Sequence, residues 1–384
     1  MNPKQKLIRI TTVPGSLVTL LNGQLKHMTQ FYDVIGISSS YNGRLAQFSE
    51  EEHVDVIPVE MTRTISPFKD LRATYQLYRI FKREKPFIVH THTPKAGTVG
   101  MLAAKLAGVP HRLHTIAGMP LLEATGTKRK LLDLVEKITY SCATKIYPNS
   151  FGLKDIIIQN KYTDEASLKV IANGSSNGID TEHFDPDRIP LKEREELRKS
   201  LGIAEDDFVF VFIGRIVKDK GIEELTAAFE IINQKFPKTK LLLVGPFEKK
   251  LDPLSERAEK IVTDHKNVIY VGSQRDVRPY FLMAHIQAFP SYREGFPNVV
   301  MQAGALGIPN IVSNINGCNE IIEDKVNGVI IPVKNIDALA NAMEWAIQNK
   351  EEVEKMGKVS REMIRSRFER NLVWSKLLEE YRNL

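Results

Sequence analysis

The residues best suited to chemistry sit where short apolar runs give way to glycine. After the run Phe208 to Ile213 the chain reads GRIVKDKG, so Arg215 and Lys220 bracket a loop that leads into a helical pattern starting at Ile222. Two fixed cations beside a helix N-terminus suit a diphosphate, whose negative charge must be stabilised as it departs. The same loop also reads as a basic surface turn capped by Gly221. After the run Ile286 to Phe289 the chain reads PSYREGFPNVVMQ. Here Glu294 stands on a glycine turn, Gly295 lets backbone approach a ligand, and Pro297 fits the first turn of a helix from Asn298 to Leu306. Asn298, Gln302 and Ala305 share one face of that helix by their spacing of four and three. A carboxylate at the mouth and an amide one turn down can grip two sets of hydroxyls. Gln302 reads equally well as a partly buried amide packed on a neighbouring strand.

The first half offers a second set. Thr12, Val13, Pro14, Gly15 and Ser16 follow the first apolar run and precede a helical pattern from Leu17 to Met28, so the N–H groups of Gly15 and Ser16 can approach a phosphate. His90, His92, His111 and His114 cluster around two adjacent strand ends. Their HTH spacing hints at a metal, yet no carboxylate or cysteine accompanies them at ligand spacing. One or two of these rings can equally be satisfying backbone groups.

Parallel sheets position all of these residues. Apolar runs alternate with helical patterns from end to end, the signature of strands joined by crossover helices. Strands are expected near Leu7–Thr11, Tyr32–Ile37, Val54–Ile57, Phe87–His90, Arg112–Thr115, Lys145–Tyr147 and Leu168–Ile171. A second series comprises Phe208–Ile213, Leu241–Val244, Val268–Val271, Ile286–Phe289, Asn310–Val312 and Val329–Ile331. Between them SSNGIDTEHFDPDRIPLKEREELRKSLGI reads as a linker. The expected fold is α/β, with two Rossmann-like doubly wound parallel-sheet domains, 1–180 and 181–369, facing a cleft. In the tail 370–384, Leu372, Trp374, Leu377, Leu378 and Tyr381 recur at helical spacing, so that helix needs an apolar partner, with the first domain as a candidate surface.

Composition narrows the class. At 384 residues the chain exceeds the size of one ordinary core, and 42% hydrophobic with 26% charged residues is the balance of a globular protein. Two cysteines, Cys142 and Cys318, give neither a disulfide framework nor a metal-ligand spacing, which points to a reducing cytoplasmic compartment. No apolar run approaches the length of a membrane span, and the N-terminus lacks a signal-peptide pattern. Residues 1–160 carry 21 Lys plus Arg against 12 Asp plus Glu, net +9, so the remainder carries −3 of the total +6. That asymmetry suits an anionic leaflet, with a solvated basic face as the plainer reading; no nucleic-acid partner is expected.

Taken in order, GRIVKDKG, SYREGFPNVVMQAGALGIP and NGIDTEHF resemble the retaining glycosyltransferases of family 4, nucleotide-sugar enzymes with two Rossmann-like domains called GT-B. VHTHTPKAGTVGMLAAKLAGVPHRLHTIAG resembles members that build capsule, O-antigen or other lipid-linked glycans. The resemblance runs over essentially the whole chain. It implies that Arg215 and Lys220 bind the donor diphosphate and that Glu294 binds the donor sugar, with Gly295, Phe296 and Asn298 in the same donor turn. The family's second acidic position, which binds the ribose, is Gln302 here. An amide replaces two charge-assisted bonds with weaker neutral ones, on the order of 1 kcal/mol, which retunes donor affinity rather than abolishing it. The resemblance further implies that His114 reaches the donor sugar, that His92 faces the acceptor, and that Lys95 meets an acceptor phosphate. NGID matches the family's hinge, and VGSQRD, with Arg275, matches the region that contacts the base. The glycine loop at Gly15 is poorer in glycine than the family's double-glycine form.

The expected activity is transfer of a hexose or aminohexose, with retention, from a nucleotide-diphosphate sugar, UDP being the expected carrier, to a lipid-linked sugar acceptor. No metal or other cofactor is expected, because cationic side chains stand where a divalent ion otherwise would. The expected location is cytoplasmic, peripheral at the inner face of the membrane. Two alternatives stay open: a non-catalytic nucleotide-sugar binding protein, supported by Gln302, and a sugar-nucleotide epimerase of the same fold, which needs acid and base carboxylates not assignable here. A dinucleotide oxidoreductase fits poorly, because VPGSLVTL lacks the G-x-G-x-x-G spacing.

Overall fold

The computed structural model describes residues 3–62, 64, 66–119, 121, 124–248 and 252–384. The chain divides into two compact units, residues 1–178 with 371–384, and residues 179–370. The first contains β1 (Lys6–Ile10), α1 (Pro14–Leu21), α2 (Gln24–Met28), β2 (Asp33–Ser38), α3 (Arg44–Glu52), β3 (Asp55–Pro58), α4 (Pro67–Glu84), β4 (Ile88–Thr91), α5 (Pro94–Ala107), β5 (His111–Ile116), α6 (Gly126–Cys142), β6 (Lys145–Pro148) and α7 (Phe151–Gln159). Its sheet is parallel, in the order β3-β2-β1-β4-β5-β6. The order reverses between β1 and β4, and the segments leaving two such strands diverge to open a crevice at their carboxyl ends.

The second unit contains α8 (Leu191–Ser200), β7 (Phe208–Ile213), α9 (Ile222–Lys235), β8 (Thr239–Val244), α10 (Glu256–Asp264), β9 (Val268–Tyr270), α11 (Arg278–Leu282), β10 (Ile286–Phe289), α12 (Asn298–Ala305), β11 (Asn310–Ser313), α13 (Cys318–Ile321), β12 (Gly328–Ile331), α14 (Ile336–Gln348) and α15 (Lys350–Phe368). Its parallel sheet runs β12-β11-β10-β7-β8-β9, the same topology, with the reversal between β7 and β10. All six residues of β7, FVFVFI, are buried. A parallel strand covered by helices on both faces has no reason to alternate, so it reads as one apolar run.

β1, KLIRI, opens on the half-buried Lys6 and departs from that pattern inside the sheet at Arg9. Arg9 is fully buried, with Leu7 and Ile8 beside it. On its face of the sheet lie Leu17 and Leu21 of α1, Leu25 of α2, and the last helix, α16 (Arg370–Arg382), which brings Leu377, Leu378 and Tyr381 against Leu7, Ile88 and Leu113. The tail therefore closes the core of the first unit. Two hydrogen bonds fix it there: the Tyr381 hydroxyl lies 2.6 Å from His90 Nδ1, and the Trp374 indole N–H donates to Asn177 Oδ1 at 2.7 Å.

Two expected elements differ. Leu168–Ile171 forms no strand; it makes one bridge to Ile146 and then turns through Ala172 and Gly174, both at positive φ. Leu17–Met28 is two helices, because Gly23 at φ 72° breaks the α-helical path between α1 and α2. Tyr381→Phe tests the docking of α16. It leaves a buried imidazole nitrogen without its partner and should lower the stability of the first unit by about 1–3 kcal/mol in urea denaturation; an unchanged midpoint would mean the bond contributes nothing.

Candidate active site

β7 and β10 are neighbours in the second sheet, and the segments leaving their carboxyl ends build one charged cluster. Gly221 is where they meet. Its φ is 73°, and a Cβ there would lie 2.1 Å from the Pro290 carbonyl oxygen, so a side chain would drive the two segments apart. Just before it, Lys220 forms an ion pair with Glu294 Oε1, and each side chain is only 15% exposed. Ser291 Oγ donates to the same Glu294 oxygen at 2.8 Å. The Glu294 turn is held from behind by Asn316, whose Nδ2–H donates to the carbonyls of Glu294 and Gly295. Gly317, at φ 77°, allows that approach, since a Cβ would lie 2.4 Å from Gly295 O.

Arg215 stands beside the pair on different partners. Its NH1 lies 2.7 Å from Glu248 and its NH2 3.7 Å from Asp219. Asp219 also holds Arg293 at 3.0 Å, and its backbone carbonyl accepts from Ser291 Oγ and Tyr292 N. Both cations named from the sequence are thus neutralised by carboxylates of their own unit. At 41% side-chain exposure, Arg215 can exchange Glu248 for a phosphate at small cost, whereas Lys220 is committed to one geometry. Behind the turn the Cys318 thiol is held well above the ordinary thiol range, first by burial and then by the charge of Glu294, which makes it unreactive.

The N-terminus of α9, which the sequence placed beside the two cations, is lined by acids. The first turn of α9 carries Glu223 and Glu224, with Glu223 holding Ser255 and Glu224 accepting from the Tyr292 hydroxyl. The first turn of α12 carries no acid, so its positive end is the one suited to an anion. Asn298 and Gln302 are half-buried on α12, while Ala305 of the same face is fully buried. Gly295 and Phe296 are both buried, and the Phe296 ring packs on Phe368 at 5.3 Å. Phe296 therefore contributes backbone to the turn, not an aromatic surface. Arg275 is exposed in the loop after β9, next to the Asp276–Arg278 pair, and apart from the Lys220–Glu294 cluster among the described residues.

In the first unit the named residues separate onto two faces of the sheet. Thr91 pairs in register with His114, and its Oγ1 lies 2.8 Å from His114 Nδ1. His90 and His92 point the other way, with ring centroids 4.2 Å apart. His114 is 3% exposed beneath α5, where a Cβ on Gly97 would lie 2.4 Å from its Cε1. Burial lowers its pKa to about 4. This is a core position, in contrast to the sugar-facing one that the resemblance implies. Lys95, like Lys220, is paired within its own unit, its Nζ lying 2.5 Å from Asp70. Ser16 already donates its N–H to Val13 O at 2.9 Å, so Gly15, within the first turn of α1 and with open space around it, is the remaining backbone candidate. The hinge residue Asn177 spends its side chain on Trp374, Gln24 and Asn22 rather than on a nucleotide.

His92 is as buried as His114, at 1% exposed, and differs from it in having a ring nitrogen without a partner among the described residues. Arg9 Nε–H donates to His92 Nε2 at 2.9 Å, and a guanidinium only donates, so the ring is neutral with its proton on Nδ1. Nδ1 is buried with no hydrogen-bond partner among the described residues, as are Tyr147 OH, Asn149 Oδ1 and Ser176 Oγ. These groups line a cavity of about 10 Å³, room for one water-sized group. Sequence reading missed Arg9, although it is the one charge inside an apolar run. It also missed Ser291 and Asn316, for which the Asn316-Gly317 turn dipeptide was the available signal.

Residues 193–363 match the family described as Glycosyl transferases group 1, and residues 25–174 match the Glycosyl transferase 4-like domain. The chain is 34% identical over 377 residues to the capsular polysaccharide biosynthesis glycosyltransferase CapM of Staphylococcus aureus, covering 98% of this chain and 97% of that protein. It is 30% identical over 340 residues to the Escherichia coli UDP-Gal:alpha-D-GlcNAc-diphosphoundecaprenol alpha-1,3-galactosyltransferase, covering 85% of each. Among solved structures, a glycosyltransferase from Rickettsia africae superposes with a TM-score of 0.82 at 20% identity over 100% of this chain and 99% of that one. Anabaena Alr3699/HepE in complex with UDP superposes with a TM-score of 0.81 at 18% identity over 99% and 100%. These two likenesses establish the fold.

The setting of His114 has a measurable sign. An unfolded histidine titrates near 6.5 and this one near 4, so the unfolded chain takes up the proton first. The contribution is intact above about pH 6.5 and is lost as pH falls toward 4, by about 3 kcal/mol at the bottom of that window. An NMR titration should find no His114 protonation above about pH 5; a midpoint near 6.5 would return the ring to the solvent-facing groups.

Proposed function

The chain belongs to the group 1 glycosyl transferases, and we propose that it moves a hexose or aminohexose from a nucleoside-diphosphate sugar to a hydroxyl of a lipid-linked sugar during assembly of a bacterial surface polysaccharide. UDP is the proposed carrier, and the configuration of the transferred sugar is retained. The observation that carries this reading is the Lys220–Glu294 pair, held at the sheet reversal with Arg215 beside it. The names of the relatives support it: one uses UDP-Gal and a diphosphoundecaprenol-linked sugar, and another makes capsular polysaccharide.

In the proposed reaction the anomeric C–O bond to the diphosphate breaks as an acceptor hydroxyl approaches from the same face. The hydroxyl proton passes to the departing phosphate oxygen, so no protein nucleophile is needed. Arg215, Lys220 and the N-terminus of α12 stabilise the charge that gathers on the diphosphate, in place of a divalent ion. Glu294 orients the sugar by accepting from its hydroxyls, and Gln302 meets the ribose diol with weaker neutral bonds. The first unit supplies the acceptor side, with His92 as its polar contact. A lipid-linked acceptor requires work at a membrane surface, the inner face of the cell membrane in this reading. Among the described residues no helix is long and apolar enough to cross a membrane.

The test is transfer by the purified full chain, with UDP- and GDP-sugars and a lipid-diphosphate sugar acceptor, with and without a chelator. Acceptor-dependent UDP release, unaffected by chelator, is expected. Nucleotide binding without release from any donor would favour a binding protein instead. Arg215→Ala and Glu294→Ala should each lower kcat/KM by about 10²–10³-fold; near-normal turnover in both would reject the site. Gln302→Glu should change donor KM by only about several-fold, and an unchanged KM would mean that Gln302 does not reach the ribose.

A further inference from the structure

In the first unit α4, α5 and α6 cover one face of the sheet, with α5 in the middle, and the outward sides of α4 and α6 are apolar where water should be. Phe68, Leu71 and Tyr75 of α4 are all exposed, Phe68 by 91%. Leu131, Leu134 and Ile138 of α6 are exposed in the same way. At about 100° per residue each trio falls within an arc of about 60°, so each forms a single stripe. Leu106, near the end of α5, is exposed as well.

The charges around these stripes have one sign. On α4 the exposed Lys69, Arg72, Arg79 and Lys82 flank the trio. Its two acids are turned inward, Asp70 to Lys95 and Glu84 to Lys6, with Arg83 also on Glu84. On α6 the exposed Lys128, Lys130 and Lys137 flank the second trio. Asp133 is paired with Arg129, and Glu136 is held above the ordinary carboxylate range by burial. A surface helix that turns its acids inward and shows aromatic and aliphatic groups among cations matches the interface between water and an anionic bilayer. Nucleic acid would account for the cations and for stacking on Phe68 or Tyr75, but not for the exposed aliphatic groups Leu71, Leu131, Leu134 and Ile138. Phe68 also lies in the first turn of α4, which starts at the carboxyl edge of the sheet where ligands of this topology bind.

We propose that the outward faces of α4 and α6 are a monotopic docking surface for an anionic lipid bilayer, which lays the acceptor side of the first unit against the membrane. This deepens the reading of a lipid-linked acceptor and rests on it. The test is flotation of the full chain with vesicles of phosphatidylcholine alone or mixed with phosphatidylglycerol, at low and high salt. The wild type should float with the mixed vesicles only, and less at high salt. The triple variant Phe68→Ser, Leu71→Ser, Tyr75→Ser should lose binding by at least about tenfold with an unchanged unfolding midpoint. The variant Arg72→Gln, Arg79→Gln, Lys82→Gln, which keeps the apolar stripe, should lose mainly the salt-sensitive part. Turnover of both variants on a short-chain, micelle-free acceptor should stay within about twofold of wild type. A wild type that does not float, a serine variant that floats like wild type, or retention on nucleic acid in place of vesicles would overturn the surface. Loss of flotation in the variants with no transfer by any protein would uphold the surface and reject only the acceptor reading.

Discussion

The ion pair between Lys220 and Glu294 sets the terms for the second unit. Both groups are mostly withdrawn from water, and such a pair persists only when geometry and extra hydrogen bonds offset the lost hydration. Ser291 supplies one of those bonds, and Asn316 fixes the backbone that carries Glu294. Gly221 and Gly317 follow as spatial requirements, because each faces a carbonyl closer than any Cβ tolerates. One electrostatic contact thereby dictates the glycine positions, the serine after β10 and the asparagine after β11. It also leaves a cation and a carboxylate at the end of two central strands, the pair of charges that a diphosphate and a sugar call for.

The first unit repeats the sheet order but solves its electrostatics differently. Its buried cation, Arg9, has the neutral partners His92 and Gln24, and among the described residues no salt bridge to a carboxylate. Burial lowers the Arg9 pKa and holds the His92 pKa well below the imidazole range, so His92 stays neutral and presents a donor at Nδ1. The neutral hydroxyls, amide and imidazole around His92 enclose room for one water-sized group and offer nothing to an anion, while the charged cluster of the second unit is suited to one. The division of labour proposed between the units follows from that contrast.

Much of this was legible because it depends on local pattern. An all-apolar hexapeptide at Phe208 announces a strand covered on both faces, and a glutamate on a glycine turn after an apolar run is out of place unless it serves a ligand. What stayed hidden depends on register and on distant partners. His90, His92 and His114 look alike in the sequence, but the pairing of Thr91 with His114 puts His114 on the opposite face from the other two. Lys95 looks like a free cation until Asp70 is found beside it. Asp70 lies 25 residues before the cation it pairs with.

Calorimetric binding of UDP and of uridine to the full chain addresses the central claim most directly, because the two ligands differ only in the diphosphate that the cations are assigned to hold. UDP should bind at least about tenfold more tightly than uridine, and the difference should collapse in a Lys220→Met, Arg215→Met double variant while uridine binding is unchanged. A difference that survives the loss of both cations would contradict the account.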